Sequence, residues 1–194
     1  MGAKSSEEYA ELTKDISEIL ISTTLIQEKV SALGEQISQD YAQKNPLLVG
    51  VLKGVLLFMS DLLRAITIPV EVDFMAVSSY SAEARERGLV RLVKDLETPI
   101  TDRNILFVED VVDTGLTLNY LLGNLRSRRP ASLEVCTLFN KSKHRLIDLP
   151  IRYAGFDLPD LFVVGYGLDY RERYRNLPFV GLLKPEVFRN EPRK

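Results

Sequence analysis

Two adjacent carboxylates, Glu109 and Asp110, precede a segment with a third carboxylate, a glycine and two hydroxyls, namely Asp113, Thr114, Gly115, Leu116 and Thr117. Paired carboxylates can accept hydrogen bonds from the vicinal hydroxyls of a sugar. Free backbone N–H groups at a helix N-terminus, together with hydroxyl side chains, can hold a phosphate. The combination therefore predicts a site for a phosphorylated sugar such as a ribose 5-phosphate.

The flanking residues predict how this acidic segment is held in place. Before it, residues 105–108 form a short apolar run, which is typical of a strand buried on both faces. After it, the apolar residues recur with the period of an amphipathic helix, at Leu118, Leu121, Leu122 and Leu125. The segment is thus predicted to be a strand, an acidic turn and a helix. An Asp-Thr-Gly turn alone is common, and only the full order of residues favours a binding site.

Composition limits the classes of partner. The chain has 194 residues, 27% of them charged, and a net charge of −2, so no overall basic field attracts nucleic acid. No apolar run reaches the length of a membrane span, and the polar first residues are unlike a signal peptide. A single cysteine, Cys136, rules out an internal disulfide and favours a cytoplasmic location. Because His144 is the only histidine, we expect any general base to be a carboxylate.

Apolar strand patterns alternate with helical patterns along most of the chain. The alternation predicts an α/β fold with a mostly parallel central sheet flanked by helices. In such sheets ligands bind beyond the carboxyl ends of the strands. Three chemically interesting groups follow predicted strands and should therefore converge, namely Lys53-Gly54, residues 109–117 and Asn140-Lys141.

We expect one domain, preceded by a disordered lead at residues 1–18. Its core is predicted at about 45–140, and a small hood lobe is predicted from 19–44 and about 142–190. A long polar segment at 79–94, which begins with Ser79 and Tyr80, is predicted to be a lid, although its composition alone also fits a solvated hairpin.

Five stretches of the chain, in this order, resemble the hypoxanthine-guanine phosphoribosyltransferases, a family of type I phosphoribosyltransferases. They are GVLKGVLLFMSDLLR, VSSY, LVKDLETPITDRNILFVEDVVDTGLTL, FNKSK and PDLFVVGYGLDYRERYRNLP. The resemblance implies the type I phosphoribosyltransferase fold. It also implies Mg²⁺-dependent transfer of a phosphoribosyl group from phosphoribosyl pyrophosphate to a 6-oxopurine base, giving IMP or GMP and pyrophosphate. A cytoplasmic homodimer or homotetramer is implied as well.

The resemblance further implies a role for each site residue. Asp113 is expected to be the general acid or base near purine N7, and Glu109 and Asp110 are expected to hold the ribose hydroxyls. The 5-phosphate is expected on Asp113, Thr114, Gly115, Leu116 and Thr117, and pyrophosphate on Lys53, Gly54 and Arg175, with a cis Leu52–Lys53 peptide. The purine is expected on Lys141, Phe162, Val163 and Asp169, and Mg²⁺ on Glu109, Asp110 and Asp169. Ser79 and Tyr80 are expected to close over the reacting centre.

Other interpretations remain open. Lys53 and Lys141 could be solvated lysines, Phe162 a core residue and the arginines at 171–175 a solvated face. Some proteins of the same fold bind RNA or DNA, which the acidic charge of this chain argues against. A phosphoribosyltransferase for xanthine, adenine or uracil is a second rival. Lys141 argues against adenine, which presents an amine donor where a 6-oxopurine presents an acceptor.

Overall fold

The computed structural model describes residues 9–79 and 90–189. They form two units with separate sheets: a larger unit, Lys29–Asp160, and a smaller unit from the described residues up to Glu28 and from Leu161 onward. Residues 29–44 and 142–160, which the sequence assigns to the hood lobe, belong to the larger unit. A strand at Tyr153–Asp157, which the local sequence pattern does not predict, pairs with the strand before it and anchors residues 142–160 to the larger sheet.

In chain order the elements are α1 (Ala10–Thr13), β1 (Ile16–Ile21), α2 (Thr23–Asp40), β2 (Leu47–Leu52), α3 (Leu56–Ala65), β3 (Glu71–Ser79), β4 (Val90–Lys94), β5 (Asn104–Val112), α4 (Leu116–Arg126), β6 (Ser132–Asn140), β7 (Tyr153–Asp157), β8 (Val163–Val164), β9 (Val180–Leu183) and α5 (Pro185–Arg189). A single 3₁₀ turn at Ser142–His144 follows β6. Among these described helices none is long and apolar enough to cross a bilayer.

The sheet of the larger unit has the order β4-β3-β2-β5-β6-β7. Its neighbouring strands from β3 to β7 pair in parallel, and only β4 is antiparallel, at one edge. The predicted α/β fold with a mostly parallel sheet is thus confirmed. From β2 the chain first adds β3 on one side and later adds β5 on the other side. The direction in which strands are added therefore reverses between β2 and β5. Ligands of such folds bind beyond the carboxyl ends of the two strands that flank this reversal.

Burial of apolar faces explains these elements. Leu47 and Ile105 are fully buried, and so are their neighbours Leu48 and Leu106, whose side chains point to the opposite face, as expected for strands covered on both faces. The four leucines that predicted α4 are also buried, so that the helical stripe packs into the same core. This packing fixes the N-terminus of α4 just beyond the end of β5.

The smaller unit has a three-stranded antiparallel sheet, β1-β9-β8. Its core contains Val164, Tyr174, Leu177, Phe179 and Leu183. Within the predicted lead at residues 1–18, residues 10–13 form α1 and residues 16–18 begin β1. β1 is ordered by pairing with β9, which is distant in sequence and leaves no local signal. Residues 1–8 lie outside the described part of the chain.

The predicted lid is only partly described. Ser79 is the last residue of β3, and its backbone pairs with Val90 of β4. Tyr80 and residues 81–89 lie outside the described residues, so the lid stays a prediction.

Candidate active site at the carboxyl ends of β2, β5 and β6

The two adjacent carboxylates lie on a strand and not in a turn. β5 continues to Val112, where it still pairs with Asn140, and Glu109 pairs with Thr137 of β6. The predicted acidic turn is corrected in this respect. The strand extends because β6 offers a ladder partner beyond the apolar run, which the sequence of β5 alone does not reveal. The sheet therefore fixes the backbone of both carboxylates.

Glu109 has one carboxylate oxygen with an unmet hydrogen-bonding capacity. Its Oε2 is buried and has no hydrogen-bond partner among the described residues. Burial, and then the negative charge of Asp110, raise the pKa of Glu109 well above its usual value. A buried acceptor without a partner is unfavourable. A hydroxyl donor or a hydrated cation would satisfy it.

Asp110 lies against the loop that follows β2. Its Oδ1 accepts a hydrogen bond from the Val111 N–H at 2.8 Å. A Cβ placed on Gly54 would collide with its Oδ2. The Leu52–Lys53 peptide just before this glycine is cis, as the resemblance implied. The predicted pyrophosphate loop and one predicted ribose carboxylate are thus in direct contact.

The turn after β5 presents a helix N-terminus. Gly115 has a φ of 81°, in the left-handed region, and caps α4. The Leu116 N–H donates to the Thr114 hydroxyl at 3.4 Å, and the Asn119 N–H donates to the Gly115 carbonyl at 2.9 Å. The first turn of α4 carries no acidic residue. The positive end of the helix, with the hydroxyls of Thr114 and Thr117 beside it, therefore suits an anion.

Asp113 is held by a lysine and a histidine side chain from the segment after β6. Its Oδ2 is 3.6 Å from Lys141 Nζ, and its Oδ1 is 2.5 Å from His144 Nδ1. The Asp113 side chain is about half exposed (47%), whereas Lys141 is buried. The Lys141 N–H donates to the Val112 carbonyl at 2.9 Å, which joins the two strand ends. Lys141 is therefore not a solvated surface lysine.

His144 is the residue that sequence reasoning missed. Besides Asp113, its Nε2 lies 3.8 Å from Asp160 Oδ2. The hydrogen bond to Asp113 raises the pKa of His144, and the negative charges of Asp113 and Asp160 add to this effect, whereas Lys141 opposes it. The usable signal was its place three residues after Lys141, in the same short turn beyond β6.

In the smaller unit Phe162 presents an aromatic ring to solvent. The ring is half exposed (50%) and meets Tyr170 and Phe188 edge-on, at centroid distances of 5.7 and 5.8 Å. Val163 lies on β8, opposite Leu182 of β9. Phe162 is therefore not a core residue, and its accessible ring suits stacking on a flat ligand.

Asp169 and Arg175 form an ion pair within the smaller unit. Arg175 Nη2 lies 2.7 Å from Asp169 Oδ1, and Arg175 Nη1 donates to the Gly167 carbonyl at 2.8 Å. The Glu172 N–H donates to Asp169 Oδ2 at 2.8 Å. Arg171 and Arg173 are exposed. Arg171 and Arg173 thus belong to a solvated face. Arg175 is partly buried, and its guanidinium is held by Asp169 and by the Gly167 carbonyl.

Within residues 9–79 and 90–189, no group of three or more His, Cys, Asp or Glu side chains could hold a metal. The residues predicted for Mg²⁺, Glu109, Asp110 and Asp169, supply only carboxylate oxygens, which are the donors that Mg²⁺ prefers. Mg²⁺ usually keeps several waters and binds one or two carboxylates together with substrate phosphates. The Glu109 Oε2, which has no hydrogen-bond partner among the described residues, would suit a Mg²⁺ ion that keeps some of its waters and arrives bound to the phosphates of the substrate.

A sheet with this order, a carboxylate pair on β5 and a helix N-terminus just beyond that strand are the features of a type I phosphoribosyltransferase. The family model described as "Phosphoribosyl transferase domain" matches residues 17–171. The chain is 48% identical to the hypoxanthine-guanine phosphoribosyltransferase of Bacillus subtilis (90% of this chain, 97% of that protein). It is 49% identical to the enzyme of that name from Mycobacterium tuberculosis (90% and 89%).

Solved structures agree with these relatives. A hypoxanthine phosphoribosyltransferase of Staphylococcus aureus superposes with a TM-score of 0.88 at 44% identity, over 92% of this chain and 97% of that one. The chain belongs to the hypoxanthine-guanine phosphoribosyltransferase family. It is therefore an enzyme, a transferase of the phosphoribosyl group.

Proposed function

We propose that the chain serves purine salvage by moving the 5-phosphoribosyl group of phosphoribosyl pyrophosphate to hypoxanthine or guanine, forming IMP or GMP and releasing pyrophosphate. The observation that carries this proposal is the buried, unpartnered Oε2 of Glu109 beside Asp110, one turn before the N-terminus of α4. A ribose 5-phosphate offers a diol for the carboxylates and an anion for the helix.

The sugar would be held at both ends. The vicinal hydroxyls donate to Glu109 and Asp110, and the 5-phosphate lies on the backbone of residues 113–117 with the Thr114 and Thr117 hydroxyls. Arginine and lysine match phosphate oxygens well. Arg175, Lys53 and the backbone at Gly54 would therefore take the pyrophosphate, with Arg175 exchanging its bond to Asp169 for the ligand.

The purine would lie where Asp113 and Lys141 meet. Lys141 donates to the 6-oxo group, and Asp113 exchanges a proton with N7, since a general acid or base must lie within hydrogen-bond reach of the proton. Phe162 stacks on the ring, and the Val163 backbone reads its edge. The 3.6 Å contact between Asp113 and Lys141 supports this pairing, because a 6-oxopurine presents N7 and O6 side by side.

In the chemical step the bond from the purine N9 to the anomeric carbon forms, and the bond from that carbon to the pyrophosphate oxygen breaks. The anomeric carbon gains positive character, and the electron pair leaves with pyrophosphate. Mg²⁺, when bound, supplies neutralisation of the diphosphate charge. Glu109 and Asp110 orient the sugar and, with Asp169, would help hold the cation.

Water exclusion completes the proposal, because water would otherwise hydrolyse the activated sugar. We assign closure to the segment that begins at Ser79 and Tyr80. The enzyme is further proposed to act in the cytoplasm as a homodimer or homotetramer. Neither nucleic acid nor membrane is a proposed partner.

A steady-state assay tests the proposal. Phosphoribosyl pyrophosphate and Mg²⁺ are supplied with hypoxanthine, guanine, xanthine or adenine in turn, and nucleotide formation is followed. We expect turnover with hypoxanthine or guanine and little with adenine. Turnover confined to xanthine or adenine would contradict the proposed substrate, whereas no turnover together with salt-sensitive RNA or DNA binding would favour the regulatory rival.

A further inference from the structure

We propose that His144, in its protonated form, is a positioning residue that holds the Asp113 carboxylate for proton exchange with the purine, and that Asp160 holds His144 in turn. This inference rests on the proposed acid–base role of Asp113. It goes beyond that role because it adds His144, from the turn after β6. The loss of a proton from His144 would make the activity depend on pH.

The geometry divides the two oxygens of Asp113 between two cations. Oδ1 is 2.5 Å from His144 Nδ1, and Oδ2 is 3.6 Å from Lys141 Nζ. When the purine takes the ammonium of Lys141 through its 6-oxo group, Oδ2 becomes available to N7. His144 then remains the side chain that holds Oδ1.

Asp113 requires such a holder. Its side chain is about half exposed, and an exposed carboxylate moves among rotamers unless a partner restrains it. Charge-assisted hydrogen bonds are shorter and stronger than neutral ones. The short contact to His144 therefore defines the direction of the carboxylate better than the longer ion pair to Lys141 does.

The turn around His144 is itself held in place. The His144 N–H donates to the Lys141 carbonyl at 3.0 Å, and the Leu146 N–H donates to the Thr114 carbonyl at 3.0 Å. On the far side of the ring, Nε2 faces Asp160 at 3.8 Å. Among the residues that the structure describes, the charged groups that act on the imidazole are therefore two carboxylates and one ammonium, Asp113, Asp160 and Lys141. This balance favours the cation.

Loss of the positive charge on His144 releases the half-exposed side chain of Asp113, and a misplacement of about 1 Å can lower a rate by about a hundredfold. We therefore expect kcat to fall as the pH rises through the titration of His144.

Nuclear magnetic resonance gives the first test without any use of activity. His144 is the only histidine, so its imidazole signals are assigned without ambiguity. We expect its titration midpoint to lie above the ordinary histidine value and to fall in both Asp113→Asn and Asp160→Asn. A midpoint that neither substitution changes would overturn the proposal.

The pH profile of kcat gives the second test. We expect His144→Ala to lower kcat by about tenfold or more near neutral pH and to abolish the decline at high pH. His144→Asn retains a neutral donor near the place of Nδ1, so it should restore most of kcat without the decline. Asp160→Asn should shift the decline to lower pH. Lys143→Ala, which removes an exposed cation from the same turn, is the matched control with a wild-type profile.

Folded His144→Ala protein with wild-type kcat and an unchanged decline would contradict the positioning role. Asp113→Asn separates this failure from failure of the proposed function. If Asp113→Asn is inactive while His144→Ala is normal, only the role of His144 is wrong. If Asp113→Asn is itself fully active, the acid–base role of Asp113 fails.

Discussion

The Asp110 carboxylate occupies the space into which a Cβ on Gly54 would project. Gly54 follows β2 and Asp110 lies on β5, which is the neighbouring strand in the sheet. The backbone of Gly54 does not have a positive φ, so this position is glycine because of space and not because of conformation. The loop proposed to bind pyrophosphate thus packs directly against a carboxylate proposed to bind ribose, so a change in the position of one would move the other.

Gly54→Ala should therefore impair the sugar site. The new methyl must displace Asp110, and we expect kcat/KM for phosphoribosyl pyrophosphate to fall by about tenfold or more. Gly123→Ala is the matched control, because no atom lies within 4 Å of its added Cβ and the residue is inside α4. It should keep full activity and stabilise the protein by about 0.5–1 kcal/mol. Equal kinetics for the two variants would contradict the steric account.

Glu109→Gln should stabilise the protein at neutral pH while it lowers activity. Because the folded protein raises the pKa of Glu109, ionisation of this group opposes folding once the pH exceeds about 4.5. The free energy of unfolding falls by about 1.4 kcal/mol for each pH unit until the pH passes the pKa of Glu109 in the folded protein, and above that pH this contribution is constant. Thermal unfolding with EDTA should show equal stability near pH 4 and a growing advantage of the variant above it. A constant difference across this range would count against the buried carboxylate.

Asp113→Asn should lower kcat by about a hundredfold to ten-thousandfold with a modest change in KM, because an amide cannot exchange the N7 proton. The carboxylate and the amide are nearly the same size, so the fold should be retained, which circular dichroism would verify. Steady-state kinetics with hypoxanthine measure the effect. Wild-type turnover would remove Asp113 from the acid–base role.

Lys141→Ala should weaken purine binding far more than binding of the sugar diphosphate. A hydrogen bond to a charged group contributes about 1.5–3 kcal/mol, so KM for the purine should rise by about ten- to a hundredfold. Lys143→Ala, two residues away and exposed, is the control. A similar loss of affinity for both substrates would show that Lys141 supports the site as a whole and does not read the base.

Local patterns in the sequence predicted most of the fold. The leucine stripe of α4 and the apolar runs of β2, β5 and β6 are local features, and the structure buries them as expected. The order of strands brought Asp113 and Lys141 together as predicted. The missed features depend on partners distant in sequence: β1 needs β9, and the end of β5 needs β6.

His144 was missed for a similar reason. In the sequence it is one polar residue in a basic stretch, and its chemistry follows from the 2.5 Å contact with Asp113 that the 3₁₀ turn creates. The place of residues 142–160 in the larger unit likewise depends on the pairing of β7 with β6, and the short segment of β7 has only a weak apolar pattern.

The most direct test is a crystal structure of the protein with IMP or GMP, Mg²⁺ and pyrophosphate. We predict that the ribose hydroxyls lie within hydrogen-bond distance of Glu109 and Asp110, with the 5-phosphate on residues 113–117 and the purine N7 at Asp113. A nucleotide whose ribose is bound away from Glu109 and Asp110 would contradict the central claim.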